Sequence, residues 1–211
     1  MVFTIKNLCS ACITGDIQTV RDIVTSKEVD INDAEYDNTP LMSAMDNNQA
    51  EVVRYLLTQP ELHLDKRYRD GDTALHGACL FNRDISVIRL FCQDRRCTPC
   101  VVNIKDNEGM TALMMAVYCG SLGIVKELEM VEGIDFDTKD SDGRTLIDVA
   151  RMRNNTAVLE YLRDRKKKTL EGMAANSVAK HLKNKKDIDA LVDDQLMPKS
   201  LKTLVADLFE N

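Results

Sequence analysis

Long apolar runs are missing from this sequence; nowhere do the roughly 18 consecutive apolar residues of a membrane-spanning helix occur. Proline and glycine are scarce, four and nine in 211 residues, and with 44% apolar and 29% charged content this excludes wholesale disorder. A helix-rich globular chain of one or two domains is expected. The three histidines, His63, His76 and His181, are scattered, no nucleophile motif lies beside any of them, and no glycine-rich loop is present to cradle phosphate. An enzyme is therefore not expected, and neither is a cofactor. The opening "MVFTIKNLCSACITGD" has no basic region leading into a long apolar core. The seven cysteines are odd in number and dispersed, which reads as reduced thiols, so the expected location is the cytoplasm or nucleus. Net charge is −6, with a balance of +3 from Arg165 onward and −9 before it. An acidic body is a poor phosphate binder, so nucleic acid is not an expected partner.

What is present is a repetition. "RDGDTALHGACLFN" at 69–82 returns as "NEGMTALMMAVYCG" at 107–120 and "SDGRTLIDVARMRN" at 141–154. Thr39, Thr73, Thr111 and Thr145 align with spacings of 34, 38 and 34, and Leu8 lies 33 before Leu41, giving five units. A fixed period in this range signals a stacked array of one supersecondary unit. Each piece has a physical job. Asp70-Gly71, Glu108-Gly109 and Asp142-Gly143 supply the positive φ of a tight turn. The Thr then caps a helix, and Pro40 sits where a first-turn proline is tolerated. Ala11, Ala44, Ala78, Ala116 and Ala150 recur at one helical position and permit close helix approach. Nine residues after each of these Thr come Asn48, Asn82, Gly120 and Asn154, and nine after Lys6 comes Gly15, the types that accept a left-handed helix end. A second apolar-periodic segment follows, as in "AEVVRYLL" and "LGIVKEL".

These motifs, "DGDTALHGA" and "NTPLMSAM" above all, resemble the ankyrin repeat, over roughly residues 5 to 164. The resemblance implies an all-α solenoid of about five helix-pair repeats in residues 1–164, followed by a small helical segment in 165–211. It also implies that His76, in the fourth position of the tetrapeptide, ties helix starts together. The turn before Thr39 is one residue shorter than the others, and a four-residue excess falls in the loop "CQDRRCTPCVV". Cys92, Cys97 and Cys100 cluster there, but a structural zinc site wants four ligands; small thiols with no metal are expected.

In such a stack the turn tips and first helices make a concave face that binds a partner protein. Residues without packing duty there include Tyr36, Arg67, Tyr68, Arg69, Asp72, Met110 and Arg144 in the turns, with Phe81, Met115 and Tyr118 on the helices. "KRYRDGD" puts Tyr between two Arg, the residue types of binding hot spots, and predicts a target patch that is partly acidic. The target itself is unnamed by the sequence.

After the repeats, "RDRKKK" reads as a basic hinge or helix end. "TLEGMAANSV" resembles the elongin-binding box of a SOCS box through Thr169, Leu170, Ala174 and Val178, one stripe of a helix at i, i+4 and i+8. "VDDQLMPKSL" resembles the cullin box through Val192, Met197, Pro198 and Leu201, although Gln195 and Leu196 depart from its pattern. Together they resemble the ankyrin-repeat and SOCS-box family. That implies a substrate-recognition subunit recruiting elongin B, elongin C and a cullin to a ubiquitin ligase. The alternative is an inhibitor or scaffold whose tail only caps the stack.

Overall fold

The computed structural model of the chain describes residues 2–68, 70–81 and 84–181, with their side chains through Thr169. Among the described residues the regular elements are helices. Five pairs form the repeat. They are α1 (Ile5–Thr14) with α2 (Ile17–Ser26), α3 (Pro40–Asp46) with α4 (Ala50–Leu57), and α5 (Ala74–Leu80) with α6 (Ile85–Cys92). After the one-turn α7 (Pro99–Val102) come α8 (Ala112–Tyr118) with α9 (Leu122–Glu129), and α10 (Leu146–Met152) with α11 (Thr156–His181). First helices stack in the order α1, α3, α5, α8, α10, and second helices in the order α2, α4, α6, α9.

The caps work as the residue types require. The hydroxyls of Thr4, Thr39, Thr111 and Thr145 accept the backbone N–H three residues on, satisfying donors that an N-terminal turn otherwise leaves orphaned. At the other end Gly15, Asn48, Gly120 and Asn154 all have φ between 57° and 78°, the left-handed conformation expected there; Asn82 lies outside the described residues. The residue that follows reaches back one unit: Gln49 Nε2 donates to Ile13 O (2.9 Å), and Asn155 Nδ2 donates to Val117 O (2.8 Å). These two helix ends thereby satisfy carbonyls of the preceding unit.

The core follows the small-residue row. Ala11, Ala44, Ala78, Ala116 and Ala150 are all 5% exposed or less, and Leu8, Leu41, Leu75, Leu113 and Leu146 are buried beside them. Burying each such leucine contributes about 1.5–3 kcal/mol. Cys12 and Cys79 occupy small core positions, and burial pushes both thiols well above the usual range, so they are inert fillers.

Two local expectations change. The stretch with the four-residue excess is not plain loop. It contains α7, with Pro99 in its first turn and Val102 buried, and Arg96 donates to Leu57 O, Gln59 O and Leu62 O at 2.7–3.1 Å. The basic run at 163–168 is neither hinge nor helix end, because α11 continues through it. It holds no glycine or proline, and its Arg and Lys are good helix formers. Packing divides the chain within this helix, into Met1–Leu159 and Glu160–Asn211. In the second unit Thr169 Oγ1 donates to Arg165 O (3.0 Å) and Lys166, Lys167 and Lys168 are exposed.

Candidate protein-binding face

Each turn tip is a small antiparallel hairpin, closed by the pairs Glu35 with Asn38, Tyr68 with Asp72, Lys105 with Thr111 and Lys139 with Thr145. From the third unit onward the tips are laced to one another. Asn107 N donates to Asp70 O (2.8 Å) and Ser141 N donates to Glu108 O (2.9 Å). Such close approach is possible because of glycine. A Cβ on Gly109, whose φ is 76°, would stand 2.6 Å from Ser141 N. Within the tips Asp106 Oδ1 accepts the N–H groups of Glu108 and Met110, and Asp140 Oδ1 accepts those of Asp142 and Arg144. These aspartates, buried and five residues before each Thr, were not singled out from sequence; their signal is that spacing.

His76 joins the third unit to the fourth. Its Nδ1 accepts from Thr73 N (3.2 Å), while Nε2 lies 3.1 Å from Met110 O, so the neutral ring carries its proton on Nε2. Burial holds its pKa below the usual histidine range. The ring is a buried tie between helix starts, as the repeat resemblance implied.

Two of the cationic residues expected to face a partner are engaged within the row of turn tips. Arg67 donates from Nε to Gly71 O (3.1 Å) and from Nη2 to Lys105 O (2.7 Å). Arg144 pairs with Asp140 (2.6 Å) and Asp142 (2.9 Å). Tyr68 Oη donates to Asn32 O (3.0 Å), and Met110 is buried. The Arg153 guanidinium stacks over Tyr118, 4.1 Å from the ring centroid, and Met115 is half-buried. Arg69 lies outside the described residues.

Tyr36 and Phe81 behave differently, being 82% and 54% exposed. The short turn before Thr39 is a two-residue hairpin loop, with Glu35 and Asn38 exchanging backbone hydrogen bonds at 3.0 and 3.1 Å. Both its central residues, Tyr36 at φ 48° and Asp37 at φ 68°, are left-handed, which is the requirement of a type I′ turn. A tyrosine there is uncommon. Tyr36, Tyr68 and Phe81 line a cleft of about 440 Å³ between the second and third units. Asp37, Asp46, Asp70 and Asp72 line it as well, and among its described lining residues there is no Lys, Arg or His. Asp46 and Gly77 are additions that sequence reading passed over, since a helix-terminal Asp and a helical Gly meet only once the first helices stack.

Asp72 is the electrostatic outlier. Burial raises its carboxyl above the usual range against the attraction of His76, and Asp106, Asp70 and Glu108 push the same way as burial. Its Oδ1 is buried without a hydrogen-bond partner. Among the described residues no group of three or more His, Cys, Asp or Glu side chains is arranged to hold a metal ion.

An all-α stack of helix pairs with laced turn tips and a cleft beside them defines a repeat protein of the interaction type. The chain belongs to the ankyrin-repeat family: the family description "Ankyrin repeats (3 copies)" matches residues 6–67, 58–140 and 92–171. It is 34% identical over 154 residues to the putative ankyrin repeat protein FPV031 of fowlpox virus (strain NVSL), covering 69% of this chain and 43% of that one. It is 36% identical over 120 residues to leucine-rich repeat serine/threonine-protein kinase 1 of Caenorhabditis elegans, covering 53% of this chain and 5% of the kinase. To the palmitoyltransferase AKR1 of Lachancea kluyveri it is 25% identical over 162 residues, 72% of this chain and 21% of the enzyme. The chain spans less than half the length of each of these relatives. The activities in two of their names are not carried to it by matches that cover so little of them. Ankyrin repeats make the chain a protein–protein interaction module.

Proposed function

We propose that this chain is a non-catalytic adaptor that captures a target protein on the face of its turn tips and first helices. The observation that carries this reading is the cleft beside Tyr36 and Phe81. Two large rings stand at the surface there, one on a left-handed backbone, while the polar groups of later tips are closed into hydrogen bonds. Exposed aromatics around a concavity are the usual anchors of an interface. The double variant Tyr36→Gly, Phe81→Ala should weaken target capture by more than about 2 kcal/mol. The melting temperature should change little, because exposed sites are usually worth under about 0.5 kcal/mol. Full capture by the double variant would move the site elsewhere.

The finer reading makes the chain the substrate-recognition subunit of an elongin/cullin-type ubiquitin ligase, acting in the cytoplasm or nucleus. What supports it is the spacing of Thr169, Leu170, Ala174 and Val178, together with the uninterrupted backbone of α11 from Thr156 to His181. The spacing places 170, 174 and 178 on one face of that helix. The cullin pattern at Val192, Met197, Pro198 and Leu201 lies outside the described residues. On this reading the purified chain co-elutes with an elongin B and C complex, and Leu170→Ala abolishes co-elution while target capture persists. A wild-type chain that ignores elongins at micromolar concentration would leave the inhibitor or scaffold, with a tail that only caps the stack.

A further inference from the structure

The loop that follows α6 holds two thiols at one place. Cys92 is the last residue of α6, and the chain then folds back through two successive turns, Asp94 N donating to Phe91 O (3.2 Å) and Cys97 N donating to Asp94 O (2.9 Å). These turns return Cys97 to Cys92, and the two free thiols share a hydrogen bond. Arg96 fixes the return. It is paired with Asp94 (2.7 Å) inside the loop and donates to Leu57 O, Gln59 O and Leu62 O of the second unit. The fold itself therefore holds the two sulfurs together. Both are half-buried, and both line a cavity of about 500 Å³ at the C-terminal ends of α6 and α9, with Arg95, Thr98 and Met130 at its edge. That cavity shares no lining residue with the cleft beside Tyr36. The two thiols are also unequal. The hydrogen bond with Cys92 holds the Cys97 thiol below its ordinary value, against burial and the charge of Asp94, while the same bond and burial push Cys92 up. The buried Cys12 and Cys79 have no such help and are raised by burial. A metal does not suit the pair, since a structural zinc site takes four ligands and no group of three or more His, Cys, Asp or Glu forms a site among the described residues.

We propose that Cys92 and Cys97 are a reversible redox pair that exchanges with small-molecule disulfides of the glutathione type, Cys97 reacting first and Cys92 resolving. The inference goes beyond the adaptor reading and does not depend on it. Thiolate, not thiol, is the nucleophile of exchange, so the thiol favoured toward ionisation attacks. Cys97 Sγ bonds to one sulfur of the small disulfide, whose S–S bond breaks. The half that leaves takes up the proton Cys97 has lost and departs as a thiol. Cys92 then gives up its proton, attacks Cys97 Sγ and expels the second half, also as a thiol. In sum, one small disulfide gains two electrons and two protons and becomes two thiols, while the protein dithiol becomes a disulfide. The cavity suits the first step, since its volume is within the range of small-molecule sites and Arg95 offers a cation to the carboxylates of a peptide disulfide. The bond formed would lock the turn that presents Arg96 to the carbonyls of the second unit. Oxidation thereby fastens the junction of the second and third units from the loop.

The test equilibrates the full-length chain in buffers of reduced and oxidised glutathione, blocks free thiols by alkylation, digests with trypsin without reduction and maps the peptides by mass spectrometry. Cleavage after Arg89, Arg95, Arg96 and Lys105 puts the two cysteines on separate peptides, 90–95 and 97–105. In the wild type these two should appear linked as the oxidised fraction of the buffer rises, and the link should be lost when reduced glutathione is restored. Cys100 lies on the second peptide as well, so Cys100→Ser should keep the link and Cys97→Ser should lose it. Cys92→Ser should stop the exchange halfway, with glutathione left on Cys97. A wild-type chain in which 90–95 and 97–105 never become linked would overturn the proposal, whatever the variants do. A link that survives Cys97→Ser, or is lost in Cys100→Ser, would make Cys100 the partner and overturn it equally. Glutathione retained on Cys92 in Cys97→Ser, with none on Cys97 in Cys92→Ser, would overturn the order of attack.

Discussion

Two successive junctions of the same repeat are built in opposite ways. Between the third and fourth units, His76 reaches Met110 O, Arg67 reaches Lys105 O, and Asn107 N reaches Asp70 O, so the tips and helix starts are sewn together. Between the second and third, Tyr68 Oη reaches Asn32 O, but the surface opens into a cleft with an unpaired carboxylate oxygen, a left-handed tyrosine and an exposed phenylalanine. One junction uses its polar groups on itself and is stable. The other keeps one buried acceptor, Asp72 Oδ1, without a hydrogen bond and two large rings at the surface.

The comparison breaks most readily at the closed junction. His76→Ala removes a ring that is 1% exposed, leaves Thr73 N without its partner and takes from Met110 O one of its two donors, Asp106 N being the other. The lost hydrogen bonds and the residual cavity together should cost about 2–4 kcal/mol, read as a lower urea midpoint. A loss under about 1 kcal/mol would show that the two units hold together without it.

The glycines separate close approach from backbone strain. Gly109 and Gly143 have φ of 76° and 77°, but an added Cβ meets Ser141 N at one and nothing within 4 Å at the other. Gly143→Ala should cost about 1 kcal/mol, the price of a left-handed alanine, and Gly109→Ala clearly more. Equal losses would mean that lacing of the tips contributes nothing.

At the open junction the sign reverses. Tyr36→Asn, which suits a type I′ turn, should raise stability by about 0.5–1 kcal/mol while weakening target capture. A destabilised variant would show that the ring packs more than its exposure allows.

The pH dependence should split along the same line. Asp72 has a raised pKa in the folded state, so the folded chain binds this proton more readily than the unfolded one. Its contribution therefore grows as pH falls through that raised value toward 3.8 and is lost as pH rises again. His76 has a lowered pKa, so acidification below its ordinary 6.5 protonates the unfolded chain first and stability is lost. In urea titrations from pH 7 to 4, Asp72→Asn should decline more steeply than wild type, and a non-titrating residue at 76 should flatten the decline. Parallel curves would contradict both assignments.

The readable and unreadable parts of this molecule divide by range. The threonine caps, the alanine row and the left-handed Gly15, Asn48, Gly120 and Asn154 depend on a few neighbours in sequence, so their spacing disclosed them. The shortened turn at Tyr36 was equally visible, as one missing residue. Arg67 and Arg144 looked like hot spots because composition shows a charge and not its partner. The carbonyl that Arg67 reaches lies 38 residues away, and which tip approaches which is a property of the stack. Asp46 and Gly77 escaped for the same reason, being neighbours only across packed helices. At 163–168 charge density suggested a break, but no residue there interrupts a helix.

The central claim is that the face holding Tyr36 and Phe81, and not the outer helices, meets the partner. A photo-reactive amino acid placed singly at positions 36, 81 and 51, the last exposed on α4, tests it in the full-length chain inside its own cells. The account predicts one protein adduct of common mass from 36 and 81 and none from 51. An adduct from 51 with none from 36 or 81 would contradict it.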